Sequence, residues 1–427
     1  MGKRFWTKNG LGYNDKVILL AMVFMILMDG VVDGESLIKQ KLLEVNKRLK
    51  LLNRPAVKSI QSEDGEIIDC IDLFKQPAFD HPMLKNHTIQ MKPTYDPPTM
   101  RTTKQESSTK LVSQVWRRSG SCPQGTIPIR RIRKINILKA NSLEDYGRKR
   151  SPASSRASSS TRTMRGASQT NHFNQKANQS VAILLTEGYN YIGAKGDINV
   201  WNPYVESDDE YTTAQICIKD GPYYDFESIE SGWTVNPGVY GDRRTRFFSY
   251  WTVTDASKKT GCFDLLCPGF VQTSNEIALG SAIEPISVTA GPQYHIALTI
   301  FKDPYTRNWW LQMGNDIKIG YWPPDIFSGL SHIASSVEWG GQVYSTNVRK
   351  IPHTSTAMGS GEFPAFMYGS ACYIGHIRIL DYSLTWKYPS WVYPLADEYN
   401  CYNAFSWIED TEPTLYFGGP GRSFKCP

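Results

Sequence analysis

Two glutamates lie in aromatic-rich segments whose composition is suited to acid–base chemistry. Glu230 stands in Ser-Ile-Glu-Ser-Gly-Trp, and Glu338 stands in Val-Glu-Trp-Gly-Gly-Gln. Because side chains alternate between the two faces of a β-strand, each carboxylate points away from its apolar neighbour. Two carboxyl groups that share a partly desolvated site do not both ionise easily, so one keeps a proton while the other acts as a base. The pattern predicts hydrolysis by Glu230 and Glu338, with two solvated sheet glutamates as the alternative.

Other kinds of chemistry lack their usual signatures. The sequence has no H-E-x-x-H zinc motif, no G-x-S-x-G elbow, no Walker phosphate loop and no dinucleotide fingerprint. No two cysteines have C-x-x-C spacing, and the histidines other than His376 lie far from the cysteines in sequence. We therefore expect neither a metal nor a cofactor. Trp233 and Trp339 are predicted to line a substrate groove, with burial in the core as the alternative.

The segments that carry these glutamates alternate apolar and polar residues in short runs separated by turn residues. Ten of the twelve tryptophans lie beyond residue 180. This pattern is typical of an antiparallel β-sandwich or barrel, here over residues 179–427, with one short helix near 326–336. Residues 35–146 contain an amphipathic helix near 36–52 and short apolar runs, which predict a smaller α+β domain. The basic, serine-rich stretch 147–178 predicts a flexible linker.

The N-terminus and the cysteines indicate secretion. Basic residues precede an apolar run at 17–28, which is typical of a signal peptide, here 1–34, and leaves no membrane segment after its removal. Eight cysteines in an oxidising compartment favour disulfides, but their spacing does not fix which cysteines are paired. Asn86 and Asn178 begin glycosylation sequons. The most economical disulfide pairs are Cys262–Cys267, Cys401–Cys426, Cys70–Cys122 and Cys217–Cys372.

The net charge of +6 combines two opposed halves. Residues 1–180 hold 31 basic and 15 acidic residues, whereas residues 181–427 hold 16 basic and 26 acidic residues. The basic half has no stacking aromatics between its arginines, which argues against binding to nucleic acid. We expect instead that the two parts of the chain bind each other, so that the basic part acts as an inhibitor that acid and cleavage in the linker release.

Many stretches resemble the plant neprosin family, whose members pair an activation domain with a glutamic peptidase domain. The resemblance covers nearly the whole chain after the signal peptide. Relatives often carry a further glutamate where this sequence has Gln342, and they lack Cys217 and Cys372. The matching stretches are 63–70, 75–82, 85–91 and 122–131 in the first domain, and 241–251, 261–270, 308–310, 320–323, 358–361 and 418–421 in the second.

The resemblance implies a sandwich of two antiparallel sheets and an endopeptidase that cleaves after proline at acid pH. Its catalytic pair maps onto Glu230 and Glu338. The expected partners are a proline-containing peptide or protein and the chain's own propeptide, acting as an intramolecular inhibitor. The expected location is extracellular or the cell wall, with the vacuole as an alternative. Two other functions stay open: an inactive sandwich that binds a cell-wall glycan or peptide, and a glycoside hydrolase with paired carboxylates.

Overall fold

A computed structural model describes residues 39–98, 112–140, 142–149, 178–222, 226–253, 260–409 and 412–427. The predicted signal peptide and residues 150–177 of the predicted linker lie outside the described residues. The chain divides into two compact units, Met1–Leu51 and Leu52–Pro427. The described part of the first unit is helical and belongs to helix α1, residues 39–52, which confirms the predicted helix over this range. No helix within the described ranges is long and apolar enough to cross a membrane.

The second unit is built mainly from strands, with two further short α-helices, α2 (Lys134–Leu138) and α3 (Pro237–Tyr240). In the described part of the chain, six single 3-10 turns join the strands, at Leu73–Lys75, Pro77–Asp80, Pro82–Leu84, Val115–Arg118, Pro324–Ile326 and Pro364–Phe366. The strands are β1 (Ala56–Gln61), β2 (Ile67–Asp72), β3 (Ser113–Gln114), β4 (Thr126–Arg130), β5 (Gln179–Tyr191), β6 (Gly193–Asn199), β7 (Tyr211–Asp220), β8 (Glu227–Val235), β9 (Arg246–Thr252), β10 (Val271–Gln272), β11 (Ile283–Glu284), β12 (His295–Lys302), β13 (Trp309–Met313), β14 (Ile317–Trp322), β15 (Ala334–Tyr344), β16 (Cys372–Leu380), β17 (Tyr393–Ala396), β18 (Asn403–Glu409) and β19 (Glu412–Gly418).

Residues 52–149, which we call the N-terminal domain, form a small α+β structure as predicted. Strands β1, β2 and β4 make a three-stranded antiparallel sheet. The disulfide Cys70–Cys122 ties the central strand to the segment before β4. Trp116 is buried against this disulfide together with Ile60 and Ile68. A domain this small has little core of its own, so the crosslink contributes much of its stability.

Residues 178–427, which we call the sandwich, form two antiparallel sheets, and this confirms the predicted fold. One sheet has six strands in the order β17-β5-β15-β7-β8-β9, and the other has eight in the order β10-β14-β13-β12-β6-β16-β19-β18. Trp233 and Trp339 of the six-stranded sheet donate their indole N–H groups to the backbone carbonyls of Asn199 and Lys195 on β6. The two sheets therefore pack face to face, with the tryptophans between them.

The predicted short helix near 326–336 is wrong. Only the 3-10 turn Pro324–Ile326 forms there, and β15 begins at residue 334. Buried Glu227 accepts hydrogen bonds from the backbone amides of Ser328 and Leu330 at 2.6 and 2.7 Å. The ammonium group of Lys302 donates to the carbonyls of residues 330–332 at 2.6–2.9 Å. These tertiary hydrogen bonds take the backbone groups that a helix would have used within itself.

Three of the four predicted disulfides are confirmed, and one is wrong. Cys70–Cys122, Cys262–Cys267 and Cys401–Cys426 are bonded, whereas Cys217 and Cys372 are free and buried. Cys217 lies on β7 of the six-stranded sheet, and Cys372 lies on β16 of the other sheet. The Cys372 thiol is directed to the carbonyl of Asn199, at 3.4 Å. The predicted pair failed because sequence spacing does not show on which sheet and face each cysteine lies.

Two glutamine side chains attach the N-terminal domain to the sandwich through hydrogen bonds to backbone N–H and C=O groups. The side chain of Gln76 exchanges two hydrogen bonds with the backbone of Gln272, at 2.8 and 3.1 Å. Gln114 does the same with the backbone of Ala278, at 2.8 and 2.7 Å, and β3 pairs with β11 of the sandwich. All these side chains are buried, so the hydrogen bonds satisfy groups that would otherwise be left unpaired.

Candidate active site

Neighbouring strands place both predicted glutamates in one row of the six-stranded sheet. Glu338 on β15 is paired with Cys217 on β7, and Cys217 is paired with Glu230 on β8. Directly paired residues of an antiparallel sheet share a face, so the three side chains lie on the same side. The structure therefore brings the two glutamates to one face but leaves a strand between them.

The next row of residues on the same face contains two glycines and lies between Glu338 and Gln342. Gly340 and Gly232 are both paired with Gln215. A Cβ atom on Gly232 would lie 1.9 Å from the carbonyl oxygen of Ala214, and one on Gly340 would lie 2.3 Å from that of Ala182. The strands approach too closely here for any larger residue. Beyond the glycines, Gln342 continues the face on β15.

Glu230 is buried and fully engaged by hydrogen-bond donors. Its Oε1 accepts from the Ser228 hydroxyl and its Oε2 from the Gln215 amide, both at 2.8 Å. The Lys149 ammonium group forms an ion pair with Oε2. Burial alone would raise the pKa of Glu230, but the charge and hydrogen bond of Lys149 outweigh it and lower the pKa. Glu230 is therefore a desolvated carboxylate that a cation from the N-terminal domain keeps ionised.

Gln342 shares the same cation. Lys149 donates to its Oε1 at 3.0 Å, and its Nε2 donates to the Tyr211 hydroxyl at 3.2 Å. The Tyr211 ring is stacked on Tyr344 with ring centroids 5.4 Å apart. Lys149 also lies over the ring of Tyr250, 4.9 Å from its centroid. One ammonium group thus fills the space between a buried carboxylate and a buried amide.

Glu338 has a different partner on this face. Its Oε1 accepts from Lys219 Nζ at 2.5 Å, and Lys219 lies over the ring of Phe226 at 4.8 Å from its centroid. Burial would lower the pKa of Lys219, but the Glu338 charge outweighs it and raises the pKa. Lys219 and Glu338 thus form an ion pair on this face of the sheet.

The prediction that Trp233 and Trp339 line a substrate groove is wrong. Both side chains are completely buried, and both are hydrogen-bonded to the opposite sheet. They point into the core between the sheets, whereas Glu230 and Gln342 point to the other side. Strand periodicity already contains the signal, because Trp233 is three residues from Glu230, and Trp339 is next to Glu338.

Lys149 is the functional residue that the sequence did not reveal. The linker prediction began at residue 147, but residues 147–149 pack against the sandwich. The amide of Phe263 donates to the carbonyl of Gly147 at 2.7 Å, and the Lys149 side chain is only 9 % exposed. Its basic neighbours, Arg148 and Arg150, resemble those of a solvated linker, and no local pattern links it to Glu230, 81 residues away.

Asn86 of the first predicted sequon is exposed, and Asn178 of the second is half-buried; glycosylation stays a prediction for both.

Within the described ranges, one group of possible metal ligands lies close together, namely His353 with Cys401 and Cys426. The two sulfur atoms of that group are joined in a disulfide. Thiolates that form a disulfide are not available as metal ligands.

Comparisons with known proteins agree with the two-part organisation. A family model described as Neprosin matches residues 208–420, and one described as Neprosin activation peptide matches residues 59–177. Two structures of scytalido-glutamic peptidase, each with a transition-state analogue, are similar at 10 % and 11 % identity, with a TM-score of 0.29, over 56 % of this chain and 97 % of theirs. A native glycosidic hydrolase is similar at 11 % identity, with a TM-score of 0.15, over 39 % of this chain and 78 % of its own. The chain, which carries both an activation peptide and a catalytic domain, belongs to the neprosin family.

Proposed function

We propose that the protein is a glutamic-type peptidase made as an inactive precursor, with Glu230 as the general base. The observation that carries the proposal is the buried Glu230 carboxylate, whose charge is neutralised by Lys149 of the N-terminal domain. A carboxylate that is desolvated and held by Ser228 and Gln215 is well suited to take a proton from water. While Lys149 occupies that place, no water can lie there.

In the proposed reaction, Glu230 removes a proton from a water molecule whose oxygen attacks the peptide carbonyl carbon. A second group on the same face hydrogen-bonds the carbonyl oxygen and stabilises its developing negative charge. Glu230 then gives the proton to the leaving nitrogen, and the carbon–nitrogen bond breaks. The products are a carboxylic acid and an amine, and Glu230 is again ionised. Glu338 and Gln342 are the two candidates for the second group.

We propose that acid starts the activation. In the precursor the pKa of Glu230 lies below its usual value because Lys149 is bound. The stabilisation from this ion pair is therefore complete above the usual carboxyl pKa and disappears as pH falls through the lowered one. Protonation of Glu230 leaves Lys149 buried without a counter-charge, which favours its release. Cleavage in the segment after Lys149 would then free the N-terminal domain from its covalent tether, so that it can dissociate.

Two finer parts of the proposal have support from outside the site geometry. Cleavage after proline is supported by the neprosin resemblance, and secretion is supported by the three disulfides, which persist in oxidising compartments.

The test is to incubate the purified precursor at pH about 3 and to follow both its own processing and the cleavage of a proline-containing peptide by mass spectrometry. Glu230→Gln should abolish peptide cleavage. The matched control is Glu187→Gln, which changes an exposed glutamate of the same sheet and should leave activity unchanged. A processed wild-type protein that cleaves no peptide between about pH 2.5 and 8 would contradict the proposal and favour the binding alternative.

A further inference from the structure

We propose that a cavity between the N-terminal domain and the sandwich binds a small oxyanion of the phosphate or sulfate class, and that the bound anion holds the two domains together. Neither Glu230 nor Lys149 lines this cavity, so it is distinct from the candidate active site. Binding of the anion does not depend on peptidase activity, whereas its effect on processing rests on the proposed function.

The cavity has a volume of about 210 Å³, and its walls come from both domains. The N-terminal domain contributes residues within 64–66 and 130–139, and the sandwich contributes residues within 240–244. Five of the lining residues are basic and three are acidic, so the lining has an excess of positive charge. A ligand at this place would therefore contact both domains at once, and an anion is favoured over a cation.

The three acidic residues of the lining are already paired with arginines. Asp64 accepts a hydrogen bond from Arg244 at 2.5 Å. Asp242 accepts from Arg244 at 3.0 Å and from Arg246 at 2.7 Å. Glu66 accepts from Arg246 at 2.6 Å. The negative charge of the lining is thus compensated by Arg244 and by Arg246, which lies behind the cavity wall.

Two further basic residues of the lining are paired with carboxylates outside it. Arg131 is hydrogen-bonded to both oxygens of Asp69, at 2.5 and 2.7 Å. Lys139 donates to Asp208 at 3.3 Å. Together with Arg244, three of the five basic residues therefore have a counter-charge in direct contact.

Arg130 is a buried cation without an anion in hydrogen-bond contact. Its side chain is only 7 % exposed, and the nearest carboxylate oxygen within the described ranges, Glu66 Oε1, is 3.9 Å away, because Glu66 is bound to Arg246 instead. The guanidinium group lies over the ring of Tyr240, 5.1 Å from its centroid, and beside the neutral Tyr146 hydroxyl. A buried charge without a close counter-ion is destabilising, so an anion in the cavity would relieve this position.

Arg133 and Asn136 supply further donors. The Arg133 guanidinium donates to the backbone carbonyl of Gly65, and no carboxylate of the described ranges forms an ion pair with it. Asn136 is buried, and its Oδ1 accepts from the Arg133 amide at 3.2 Å, so that Nδ2 has no acceptor in the part of the chain that the structure describes. A Cβ atom on Gly241 would lie 2.4 Å from this Nδ2, and the glycine thus leaves room beside it.

A tetrahedral oxyanion matches the donors that the cavity presents. A guanidinium group binds phosphate through two parallel hydrogen bonds, and other oxygens of the same anion remain for Arg133 and for the Asn136 amide. The volume is several times that of a water molecule, so an oxyanion with a small organic substituent also fits. The ligand is thus either the free ion or an ester of it, and the shared chemical group is the oxyanion.

An anion in this cavity would act on the equilibrium between joined and separated domains. Because the walls come from both domains, the complete site exists only while the domains are joined. A ligand at 100 times its Kd then makes separation about 100-fold less favourable, and processing of the precursor in acid should slow by up to the same factor. A simple salt has no such effect, since it only screens charges.

The experiment is isothermal titration calorimetry of the full precursor at pH 7 with inorganic phosphate, sulfate and glucose 6-phosphate, at constant ionic strength. We expect one site per chain for the oxyanions and none for glucose, the uncharged control. Tighter binding of glucose 6-phosphate than of phosphate identifies an ester as the ligand, and the reverse order identifies the free ion. In hydrogen exchange, the bound anion should protect residues 126–131 and 240–246 together.

Single substitutions in the full precursor test the assigned donors. Arg130→Gln and Arg133→Gln should each weaken binding by about 10-fold or more, as expected for the loss of a charge-assisted hydrogen bond. Arg133 is exposed, so Arg133→Gln should fold even if Arg130→Gln does not. The matched control is Arg117→Gln, which removes the same charge and an interdomain ion pair with Glu276 at 3.3 Å but leaves the cavity lining unchanged. This control should keep the wild-type Kd.

Three outcomes would overturn the inference. These are no binding of any of the oxyanions at about 10 mM, an equal loss of affinity in Arg117→Gln and Arg133→Gln, or protection from exchange confined to one of the two domains. All three are measured on the unprocessed precursor without a substrate, so they leave the proposed function standing. A processed protein without peptidase activity would remove the proposed function and leave the anion site standing.

Discussion

Replacement of Lys149 by methionine tests whether one ammonium group keeps the precursor closed. Methionine retains most of the side-chain volume and removes the charge. Glu230 would then stay buried with only Ser228 and Gln215 as partners, and burial would raise its pKa instead of Lys149 lowering it. We call the precursor closed when residues 142–149 are bound to the sandwich. The closed form should be less stable in the variant at neutral pH, because the buried Glu230 must then be either ionised without Lys149 or protonated at a cost in free energy.

The expected size follows from the burial of the pair. The two side chains are 9 % and 6 % exposed, and loss of one member of a buried pair costs about 3–5 kcal/mol. Because Glu230 keeps two neutral donors, we expect the lower end, about 3 kcal/mol, which changes the ratio of closed to open precursor by about 10²-fold. The difference from wild type should shrink as pH falls below the usual carboxyl pKa of 4.5, since a protonated Glu230 does not need the cation.

The assay is hydrogen exchange of residues 142–149 in the intact precursor at pH 7, together with the rate of its own processing at the same pH. The matched control is Lys139→Met, because Lys139 also joins the N-terminal domain to the sandwich, through Asp208 at 3.3 Å, but with both side chains about half exposed. An exposed pair contributes less than about 1 kcal/mol. If Lys149→Met exchanges as slowly as wild type at pH 7, or if Lys139→Met opens equally, the reasoning is refuted.

Three further predictions concern other parts of the fold. Glu66→Gln should lower the stability of the precursor by about 1–3 kcal/mol in thermal unfolding, since Glu66 pairs with the completely buried Arg246 at 2.6 Å; an unchanged Tm would contradict this. Burial, opposed in part by hydrogen bonds, raises the pKa of Asp264 from 3.8 to about 7, so wild-type stability to urea should fall as pH rises from about 4 to 7. Asp264→Asn should remove that slope, and equal slopes would count against the assignment. Unfolding without reductant should expose two thiols, Cys217 and Cys372, to a thiol reagent, and a count of zero would restore the predicted disulfide.

Local patterns were sufficient for the fold and for one half of the site. Alternation around Ile229 placed Glu230 on the face away from the core, and the structure has it there, buried and bound by donors. The same alternation assigns Trp233 to the core face. The prediction that Trp233 lines a substrate groove was therefore wrong because the pattern was not applied to this residue.

The remaining features depend on contacts between distant residues. Lys149 meets Glu230 and Gln342 only after β8 and β15 have been brought to either side of β7. The register between β8, β7 and β15 determines which polar residues face Lys149, and this register cannot be read from a single sequence. For the same reason the sequence predicted Glu338 as the partner of Glu230, whereas the structure gives Glu338 and Gln342 different hydrogen-bond partners.

The contacts that attach the N-terminal domain through residues other than Lys149 determine the effect of a cut in the segment after residue 149. Gln76 and Gln114 bind the sandwich through their own hydrogen bonds, and β3 is paired with β11, so the two pieces stay together when the segment after residue 149 is cut. Before the cut the inhibitor is tethered, at an effective concentration on the order of millimolar. Afterwards it is a separate molecule at its bulk concentration. Dilution should therefore govern the onset of activity, and the released piece should inhibit other copies of the enzyme.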